Sequence, residues 1–341
     1  MNPGASGQRR FRYAPTPTRE LHVGNGLAAL IGWAAARSVG GAFALRIEDI
    51  DRTRSRPELA AAALDDLRWL GVDWDEGPDV GGAFGPYVQS ERMARYDAAL
   101  AELDARGLVY ACQCSRADVR AAMSAPHLQL GGEAPYAGTC RPTHDGPRAL
   151  AEDRGGYRLD VVSLGDAAVV QLEDAWLGPV TEDVRETCGD FLLGRPDAPT
   201  YQLAVVTDDI AMGITDVVRG HDLAGSTARQ VLLYRAFGGA VPRFAHHPLL
   251  VDEQGQKLSK RDGALALSEL RKSQMAPGEL RARLGAAVGL WGADVRRAAA
   301  RDFIEALREV GPAGGPEPTV DGRPASGEIR AGAWHDGAWP T

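Results

Sequence analysis

Residues 9–36 read RRFRYAPTPTRELHVGNGLAALIGWAAA. The first six of these residues, 9–14, indicate a short strand. Pro15 and Pro17 then mark a turn. The apolar residues from Leu27 to Ala36 follow with helical spacing. The order of strand, loop and helix is typical of the first unit of a parallel α/β fold.

The chain continues this alternation of strands and helices. Residues 57–70 form an amphipathic helical pattern that begins with Pro57, and residues 91–106 form another that ends at Gly107. Further strands are predicted at residues 42–47, 157–163, 201–206, 214–218 and 247–251, and further helices at residues 223–237 and 266–309. The sequence therefore predicts an α/β fold, and it contains no internal repeat.

Composition limits the class of protein. The chain has 341 residues, of which 44% are hydrophobic and 25% are charged, as in a soluble globular protein that needs no disulfides. It has no run of eighteen apolar residues and no signal-peptide core in its first ten residues, so a cytoplasmic protein without a membrane partner is expected. The net charge of −8 argues against non-specific coating of nucleic acid, although a local basic groove remains compatible with it. We expect a monomer.

The junction between the first loop and the first helix contains His22-Val-Gly24-Asn25. A helix N-terminus presents free N–H groups and a partial positive charge, and a glycine there lets a phosphate approach the backbone. An imidazole beside it can donate a hydrogen bond to a phosphate oxygen. The segment predicts a phosphate site, but alone it is also compatible with an ordinary helix start.

A second segment, Lys257-Leu-Ser259-Lys260-Arg261, follows a hairpin-like turn and contains two of the three lysines in the chain. Two ammonium groups with a hydroxyl between them suit a mobile loop that stabilises the charge developing as pyrophosphate leaves. Alone, the segment is also explained as a solvated basic turn. In this order and at this spacing, the two segments resemble the HIGH and KMSKS signatures of class I aminoacyl-tRNA synthetases.

Further stretches resemble the glutamyl-tRNA synthetase branch of that family. They are RYAPTP at 12–17, LRIEDIDRTR at 45–54, TYQLAVVTDD at 200–209 and GITDVVRG at 213–220. The resemblance covers about residues 10–265, and it implies a Rossmann-like parallel sheet with a zinc-binding insertion and a small helical C-terminal subdomain. Position 25 departs from the branch, since it is Asn where Gly or Ser is common, but Asn can still donate a hydrogen bond.

The resemblance also implies how glutamate would bind. A site for two carboxylates and one ammonium needs fixed cations and an acid, and arginine offers a planar fork for a carboxylate. By analogy, Arg12 and Arg219 would face carboxylates and Tyr201 would donate to one of them. Glu48 would hold the ammonium. The other residues that would line the pocket are Tyr13, Ala14, Pro15 and Thr16.

Each of these residues also has a structural explanation. The acidic residues 48–49 could form a surface pair after a strand. Arg219 could form an ion pair with Asp216 or Asp222, and Tyr201 could be a half-buried aromatic on a strand. The family resemblance favours the glutamate-binding roles over these alternatives.

For ATP, the resemblance implies a site in which His22 and Lys260 are catalytic. The residues that would bind ATP are His22, Gly24, Asn25, Lys257, Ser259 and Lys260. The glutamate α-carboxylate would attack the α-phosphorus in line, and Mg²⁺ would partly neutralise the leaving pyrophosphate. An acceptor hydroxyl would then attack the glutamyl-adenylate. No protein general base is assigned, because binding and positioning dominate the reaction.

Three of the four cysteines, Cys112, Cys114 and Cys140, lie in a region with little periodicity. In a cytosolic protein this pattern favours a metal over a disulfide, and zinc takes four ligands. On general grounds the fourth ligand would be His127 or His144, and three free cysteines are the alternative to a metal site. The small glutamyl-queuosine synthetases, however, have a C-x-C…Y-x-x-x-C zinc site. This resemblance implies a structural zinc site formed by Cys112, Cys114, Tyr136 and Cys140.

Only 80 residues follow Arg261, so we expect no C-terminal part of the kind that reads the anticodon in full glutamyl-tRNA synthetases. The chain resembles instead the glutamyl-queuosine tRNA(Asp) synthetases. That resemblance implies activation of L-glutamate with ATP in the absence of tRNA, and transfer to queuosine in the anticodon loop of tRNA(Asp). The alternatives are a truncated synthetase that charges a tRNA 3′ end, a small-molecule nucleotidylyltransferase and a non-catalytic binding module.

The expected domain organisation follows from these motifs. Residues 9–110 and 196–265 would form the two halves of the catalytic domain, the second with the KMSKS-like loop. Residues 111–195 would form the zinc-binding insertion and residues 266–310 the helical subdomain. Residues 311–341, rich in Gly, Pro and Ala, are expected to be disordered.

Overall fold

The computed structural model describes residues 7–114, 135–141, 155–251, 265–292 and 294–310, and residues 319–320, 323–324 and 328–330. The predicted ATP-site residues Lys257, Ser259 and Lys260 lie outside these residues, and so do His127 and His144. Most of the predicted tail also lies outside them, so its disorder stays a prediction.

Strands and helices alternate along most of the described chain. The strands are β1 (Arg10–Tyr13), β2 (Ala42–Leu45), β3 (Val109–Cys112), β4 (Gly156–Leu159), β5 (Val169–Asp174), β6 (Gly178–Asp183), β7 (Leu192–Arg195), β8 (Ala198–Pro199), β9 (Asp216–Gly220), β10 (Arg243–His247), β11 (Leu249–Val251), β12 (Thr319–Val320), β13 (Arg323–Pro324) and β14 (Glu328–Arg330). The α-helices are α1 (Val23–Ser38), α2 (Pro57–Trp69), α3 (Met93–Ala105), α4 (Val184–Thr187), α5 (Tyr201–Ala211), α6 (Thr227–Ala236), α7 (Leu267–Lys272), α8 (Pro277–Ala287) and α9 (Ala300–Val310). Short 3₁₀ helices span Gln89–Glu91, Val162–Ala168 and His221–Ser226.

The main sheet has six strands in the order β2-β1-β9-β10-β5-β6. The first five strands of this order run parallel, and only β6 is antiparallel to its neighbour β5. The predicted α/β fold with a parallel sheet is therefore confirmed. Strand β1 lies between β2 on one side and β9 on the other, so the strand order reverses at β1. At such a point a crevice opens at the carboxyl ends of the parallel strands.

Two hydrophobic layers cover the two faces of this sheet. On one face, α1 packs on β1, β2 and β9, and its side chains share a core with α2, α7, α8 and α9. On the other face, α3, α5 and α6 form a second core. Helix α1 is apolar almost all round, because it is buried between the sheet and the other helices.

Local sequence explains several helix ends. Pro57 and Pro277 lie in the first turn of α2 and α8, where the N–H that proline lacks would have no helical partner. Gly107, with φ of 69°, follows α3 in the left-handed conformation that glycine adopts without strain. The helices predicted at 57–70 and 91–106 are thus present with nearly those bounds.

The strand predicted at residues 201–206 is wrong, because these residues belong to helix α5. The run is rich in apolar and β-branched residues, and such a run does not distinguish a buried helix from a buried strand. Leu203, Ala204, Val205 and Val206 are all buried. The same helix carries Asp208 and Asp209, which bind buried arginines and so fix it against the sheet.

A second, antiparallel sheet has the order β3-β4-β7-β8. It lies within the predicted insertion 111–195, apart from the first residues of β3 and the short strand β8. Between β4 and β7, however, the chain passes through β5 and β6, which belong to the main sheet. The predicted insertion is therefore interlaced with the main sheet, and the expected domain bounds stay predictions.

The remaining strands lie near the carboxyl-terminal part of the chain. Strand β11 pairs in parallel with β14, and β12 pairs with β13 in the antiparallel sense. Among the helices that the structure describes, none is both long and apolar enough to cross a membrane.

Candidate active site

A cleft of about 700 Å³ opens at the carboxyl ends of the parallel strands. It is lined by residues that follow β1, β2, β9 and β10 in the chain. All of the described residues that were predicted to bind glutamate or ATP line this one cleft: Arg12, Tyr13, Ala14, Pro15, Thr16, His22, Gly24, Asn25, Glu48, Tyr201 and Arg219. The fold thus brings together residues that are up to 207 positions apart in the sequence.

His22 caps the first turn of α1. Its Nδ1 accepts hydrogen bonds from the backbone N–H groups of Gly24 (3.1 Å) and Asn25 (3.4 Å). A nitrogen that accepts carries no proton, so a neutral His22 carries its proton on Nε2. A Cβ at position 24 would lie 3.0 Å from Cε1 of His22, which explains why glycine fits there. The ring can therefore offer an Nε2–H donor in the cleft.

Asn25 completes this cap from the other side. Its Oδ1 accepts a hydrogen bond of 3.0 Å from the backbone N–H of His22, which closes a capping box. The backbone N–H groups of Gly24 and Asn25 are already hydrogen-bonded to His22. The predicted direct contact between these groups and a phosphate would have to displace the imidazole, so the Nε2–H of His22 is the better placed donor.

A buried charge network lies beneath the cleft. Asp209 accepts hydrogen bonds from Arg12 at 3.2 and 3.3 Å, from Arg46 at 2.7 Å and from the hydroxyl of Tyr234 at 3.1 Å. Burial alone would raise the pKa of Asp209, but Arg12 and Arg46 outweigh it and hold that pKa below its ordinary value. Two of the three guanidinium nitrogens of Arg12 are used in this network.

Glu48 joins the same network from the loop after β2. Its Oε1 accepts a hydrogen bond of 3.2 Å from Arg46, and its side chain is buried. Burial raises the pKa of Glu48, although Arg46 and Arg12 oppose the rise. The alternative of a surface acidic pair is therefore wrong for Glu48. Asp49 points elsewhere and accepts hydrogen bonds from the backbone and hydroxyl of Ser90.

Arg219 is buried at the end of β9 with only neutral partners. Its guanidinium donates to Oε1 of Gln230 (2.8 Å), Oγ1 of Thr227 (2.8 Å) and Nε2 of His246 (3.0 Å), and it lies 5.4 Å from the ring centre of Phe244. Within the part of the chain that the structure describes, no carboxylate lies within ion-pair distance of it. Burial lowers the pKa of Arg219.

The alternative ion pairs of Arg219 are therefore wrong for the described residues. Asp216 accepts hydrogen bonds from Arg9 and Arg243 instead. Asp222 lines the cleft without forming an ion pair with Arg219. A buried cation without an anionic partner is costly, so Arg219 is suited to binding an anion.

Tyr201 lies at the first position of α5 and lines the same cleft. Thr200, in extended conformation, precedes it. Tyr201 is a helix-terminal residue, which corrects its alternative explanation as a strand aromatic. Tyr13, at the end of β1, donates its hydroxyl to the backbone oxygen of Asn25 (3.1 Å) and so ties the strand to the start of α1.

Sequence reasoning did not identify Arg46, Asp209 or His246 as members of the site. Arg46 follows the apolar strand β2, and Asp209 lies in the apolar run of α5. The signal that could have found them is a charged residue within an otherwise buried segment.

His246 and His247 end β10, and His247 lines the cleft. Burial lowers the pKa of His247 to about 4, so His247 is neutral at pH 7.

Both ends of the segment that contains Lys257 and Lys260 lie at the cleft. Leu249 and Leu250 line it, directly before the segment. After the segment, the backbone oxygen of Leu265 accepts a hydrogen bond of 3.3 Å from Val23, at the start of α1. The described residues on both sides of residues 252–264 therefore lie at the cleft or at the start of α1.

The three predicted cysteine ligands lie together. The sulfur atoms of Cys112, Cys114 and Cys140 are within 4.8 Å of one another, and the hydroxyl of Tyr136 lies 3.5 Å from those of Cys112 and Cys114. Three sulfurs and one oxygen at these distances fit around one tetrahedral ion. Burial opposes ionisation of Cys140, but hydrogen bonds from the Gln113 backbone and from the other members lower its pKa to about 7.

Arg158 supports this cluster. Its Nε lies 3.2 Å from the sulfur of Cys112, and its guanidinium lies 3.8 Å from the ring centre of Tyr136. A fixed positive charge favours the thiolate form that binds metal. The cluster can therefore hold a metal ion.

Comparisons with known proteins agree with this geometry. The profile of the family described as tRNA synthetases class I (E and Q), catalytic domain, matches residues 8–307. A glutamyl-Q tRNA(Asp) synthetase of Symbiobacterium thermophilum is 51% identical over 268 residues, which cover 78% of this chain and 82% of that relative. A glutamate–tRNA ligase of Synechococcus sp. (strain JA-3-3Ab) is 41% identical over 80% of this chain and 55% of that relative.

Among solved structures, a glutamate-tRNA synthetase from Elizabethkingia anophelis has a TM-score of 0.75 and 27% identity, over 90% of this chain and 68% of that one. The match in fold agrees with the family match, and both cover the strands and helices that form the cleft. The chain therefore belongs to the class I tRNA synthetases (E and Q), and within them to the glutamyl-Q tRNA(Asp) synthetases.

Proposed function

We propose that this protein activates L-glutamate with ATP in the absence of tRNA, and transfers it to queuosine in the anticodon loop of tRNA(Asp). The observation that carries the proposal is the buried charge of Arg219 in the cleft, which no carboxylate of the described residues pairs. That charge matches a substrate carboxylate, and the names of the 51% identical relative and of the matched family point to the same chemistry.

Glutamate would lie between the two arginines and Glu48. Arg219 would bind one carboxylate with its planar guanidinium, and Tyr201 would donate its hydroxyl to a carboxylate. Arg12 is held by Asp209 through two of its nitrogens, and its remaining nitrogen would bind a second carboxylate. The buried Glu48 would bind the ammonium, because an ammonium restores the charge balance that burial of a carboxylate disturbs.

ATP would occupy the part of the cleft beside α1. Nε2–H of His22 would donate to a phosphate oxygen, while Gly24 and Asn25 hold the imidazole in place. Lys257, Ser259 and Lys260 would stabilise the charge on the leaving pyrophosphate, since the described residues that flank their segment, Leu250 and Leu265, lie at the cleft and at the start of α1. Mg²⁺ bound to ATP would neutralise part of the same charge.

The cysteine cluster would hold a structural zinc ion. Cys112, Cys114 and Cys140 would bind it as thiolates and Tyr136 as the fourth ligand. The ion would fix the loop ends that meet at β3, and this part of the protein would contact the tRNA. A cytoplasmic monomer remains our expectation.

The alternative activity, charging the 3′ end of a tRNA, is less favoured. The chain is 51% identical to a glutamyl-Q tRNA(Asp) synthetase and 41% identical to a glutamate–tRNA ligase. Both activities use the same glutamyl-adenylate, so the two proposals differ only in whether activation needs tRNA and in which nucleotide accepts the glutamate.

The test is ATP–pyrophosphate exchange with glutamate in the absence of any tRNA, with aspartate and glutamine as controls. We expect exchange with glutamate alone, followed by transfer of labelled glutamate to tRNA(Asp) that contains queuosine. Exchange that starts only when tRNA(Glu) is added would contradict the proposal and favour the 3′-end activity.

A further inference from the structure

His246 forms the third hydrogen bond to Arg219 from the neighbouring strand. In the parallel register of β9 and β10, His246 lies directly beside Arg219, so both side chains project from the same face of the sheet. The distance from Nε of Arg219 to Nε2 of His246 is 3.0 Å, and both residues are buried. Oε1 of Gln230 can only accept, whereas Oγ1 of Thr227 and Nε2 of His246 can each donate or accept, and these two atoms lie 3.1 Å apart.

The geometry fixes the tautomer of His246. A guanidinium has donors only, so Nε2 of His246 has to accept and carries no proton. The proton of a neutral ring is then on Nδ1, which lies 2.6 Å from Oδ2 of Asp174 and donates to it. The other oxygen of Asp174 accepts hydrogen bonds from the backbone N–H groups of Trp176 and Leu177, both at 3.0 Å, so this carboxylate is itself held in place.

The alternative tautomer would place two donors against each other. With a proton on Nε2, the ring would face the Nε–H of Arg219 across 3.0 Å, and the hydrogen bond would be lost. Protonation of both nitrogens would add repulsion between two buried cations. Asp174 prevents the first arrangement, because a carboxylate can only accept the proton of Nδ1. A neighbouring carboxylate at the position of His246 would neutralise Arg219, whereas the imidazole leaves its charge available.

We propose that His246, oriented by Asp174, is a positioning residue that holds Arg219 in place and keeps its charge available for the carboxylate of the substrate. This role of His246 and Asp174 rests on the proposed function, since the substrate carboxylate that Arg219 would bind is that of glutamate. His246 is not among the residues that line the cleft, and it acts through Arg219 and through the hydroxyl of Thr227, which lies 3.1 Å from Nε2 of His246.

Steady-state exchange kinetics of two substitutions at position 246 test the proposal. His246→Leu removes the acceptor, so we expect the KM for glutamate to rise about tenfold, as for the loss of one charge-assisted hydrogen bond, and the KM for ATP to stay within about twofold. His246→Gln places an amide oxygen near the position of Nε2 and should retain a KM for glutamate within about threefold of wild type. Equal increases of both KM values in His246→Leu would overturn the proposal.

Asp174→Asn is the matched variant, since it leaves His246 unchanged. An asparagine amide can donate to Nδ1 and so allows the proton to move to Nε2, where it opposes Arg219. We expect the KM for glutamate to rise as in His246→Leu, about tenfold, with the KM for ATP again within about twofold. An unchanged KM for glutamate in a folded Asp174→Asn protein would contradict the role of Asp174.

Nitrogen NMR of wild-type protein labelled with ¹⁵N-histidine gives a result that depends on no substrate and on no measurement of activity. We expect the His246 ring to be neutral at pH 7.5 with its proton on Nδ1, with the His246→Gln spectrum providing the assignment. A proton on Nε2 would overturn the proposal even if exchange with glutamate is normal. Failure of wild-type protein to catalyse exchange would instead overturn the proposed function, and the NMR result would still decide the orientation of His246.

Discussion

Arg46 and Asp209 form a fully buried ion pair beneath the cleft, with 2.7 Å between Nη1 of Arg46 and Oδ1 of Asp209. Arg46 follows strand β2, and Asp209 belongs to helix α5, so the pair joins elements that are 163 residues apart. The same carboxylate binds Arg12. The pair therefore holds Arg12 and Glu48, two of the predicted glutamate-binding residues, in place at the base of the cleft.

We expect Asp209→Asn to lower the free energy of unfolding by about 3 kcal/mol or more, because it removes the carboxylate that pairs with the buried Arg12 and that the buried Arg46 binds in addition to Glu48 and Asp208. Urea unfolding at pH 7.5 would measure this. Glu279→Gln is the control, since the pair of Glu279 with Arg283 lies at the surface and should change stability by less than about 0.5 kcal/mol. Similar losses in the two variants would contradict the importance of the buried pair.

The contribution of Asp209 should also depend on pH. The folded protein holds the pKa of Asp209 below its ordinary value, so the unfolded chain binds its proton first. The stabilisation is thus complete above the ordinary aspartate pKa of about 4 and is lost as the pH falls through the lower folded value. The difference in unfolding free energy between wild type and Asp209→Asn should be constant above about pH 5 and shrink below about pH 4.

Arg219→Met should abolish glutamate activation without loss of the fold. Because the partners of Arg219 are neutral, its removal leaves no unpaired charge, and we expect the free energy of unfolding to change by no more than about 1 kcal/mol. Arg46→Met, made for comparison, leaves buried carboxylates without their cation and should lower the free energy of unfolding by about 3 kcal/mol or more. Urea unfolding together with pyrophosphate exchange measures both effects, and a large loss of stability in Arg219→Met would show that an unseen anion already compensates it.

Asn25→Ala should weaken the start of α1. The substitution removes the acceptor for the backbone N–H of His22, and loss of one capping bond typically costs about 1 kcal/mol. We expect a fall in kcat for exchange in addition, since the imidazole of His22 loses part of its support. Ser38→Ala, at the last turn of the same helix, is the control for kcat, because the hydroxyl of Ser38 donates to the backbone oxygen of Ala35 within that helix. Equal kcat values in the two variants would argue against a role of Asn25 in placing His22.

Tyr136→Phe should weaken zinc binding without abolishing the cluster. The substitution removes the oxygen and keeps three thiols, so we expect zinc affinity to fall about tenfold or more in a competition with a chromophoric chelator. Cys188→Ser is the matched control, since Cys188 is not part of the cluster of three sulfurs. Wild-type protein should bind one zinc per chain, and full affinity in Tyr136→Phe would assign the fourth ligand to another residue.

Lys260→Ala should lower kcat for exchange by about 100-fold, as for loss of one charged group that stabilises the transition state. Lys272→Ala provides the control, because this third lysine lies at the end of α7. Thermal unfolding would establish that both variants fold. Full exchange activity in Lys260→Ala would contradict the assignment of this segment to the leaving pyrophosphate.

The sequence predicted the parts of the fold that local pattern controls. Hydrophobic periodicity predicted the helix after His22 and the parallel strands β1 and β9. Proline and glycine marked the start of one helix at Pro57 and the end of another at Gly107. The residues of the cleft were found through their motifs, and the structure brings the described ones together.

Pairings between distant residues could not be predicted in the same way. The partnership of Arg46 with Asp209 depends on how α5 lies over the sheet, and the strand predicted at residues 201–206 missed the helix that carries Asp209. The neutral surroundings of Arg219 depend on the register between β9 and β10, which local sequence does not specify. For the same reason, His246 could not be recognised as its neighbour.

The excursion of the chain through β5 and β6, between β4 and β7, has a practical consequence for protein engineering. The sheet that carries the cysteines cannot be exchanged for that of a relative as one continuous segment between residues 110 and 196. Such a graft would also replace two strands of the main sheet, including Asp174, with those of the donor. A chimaera with altered tRNA preference would therefore need two separate splices, one on each side of residues 160–187, with that stretch left as the recipient's own.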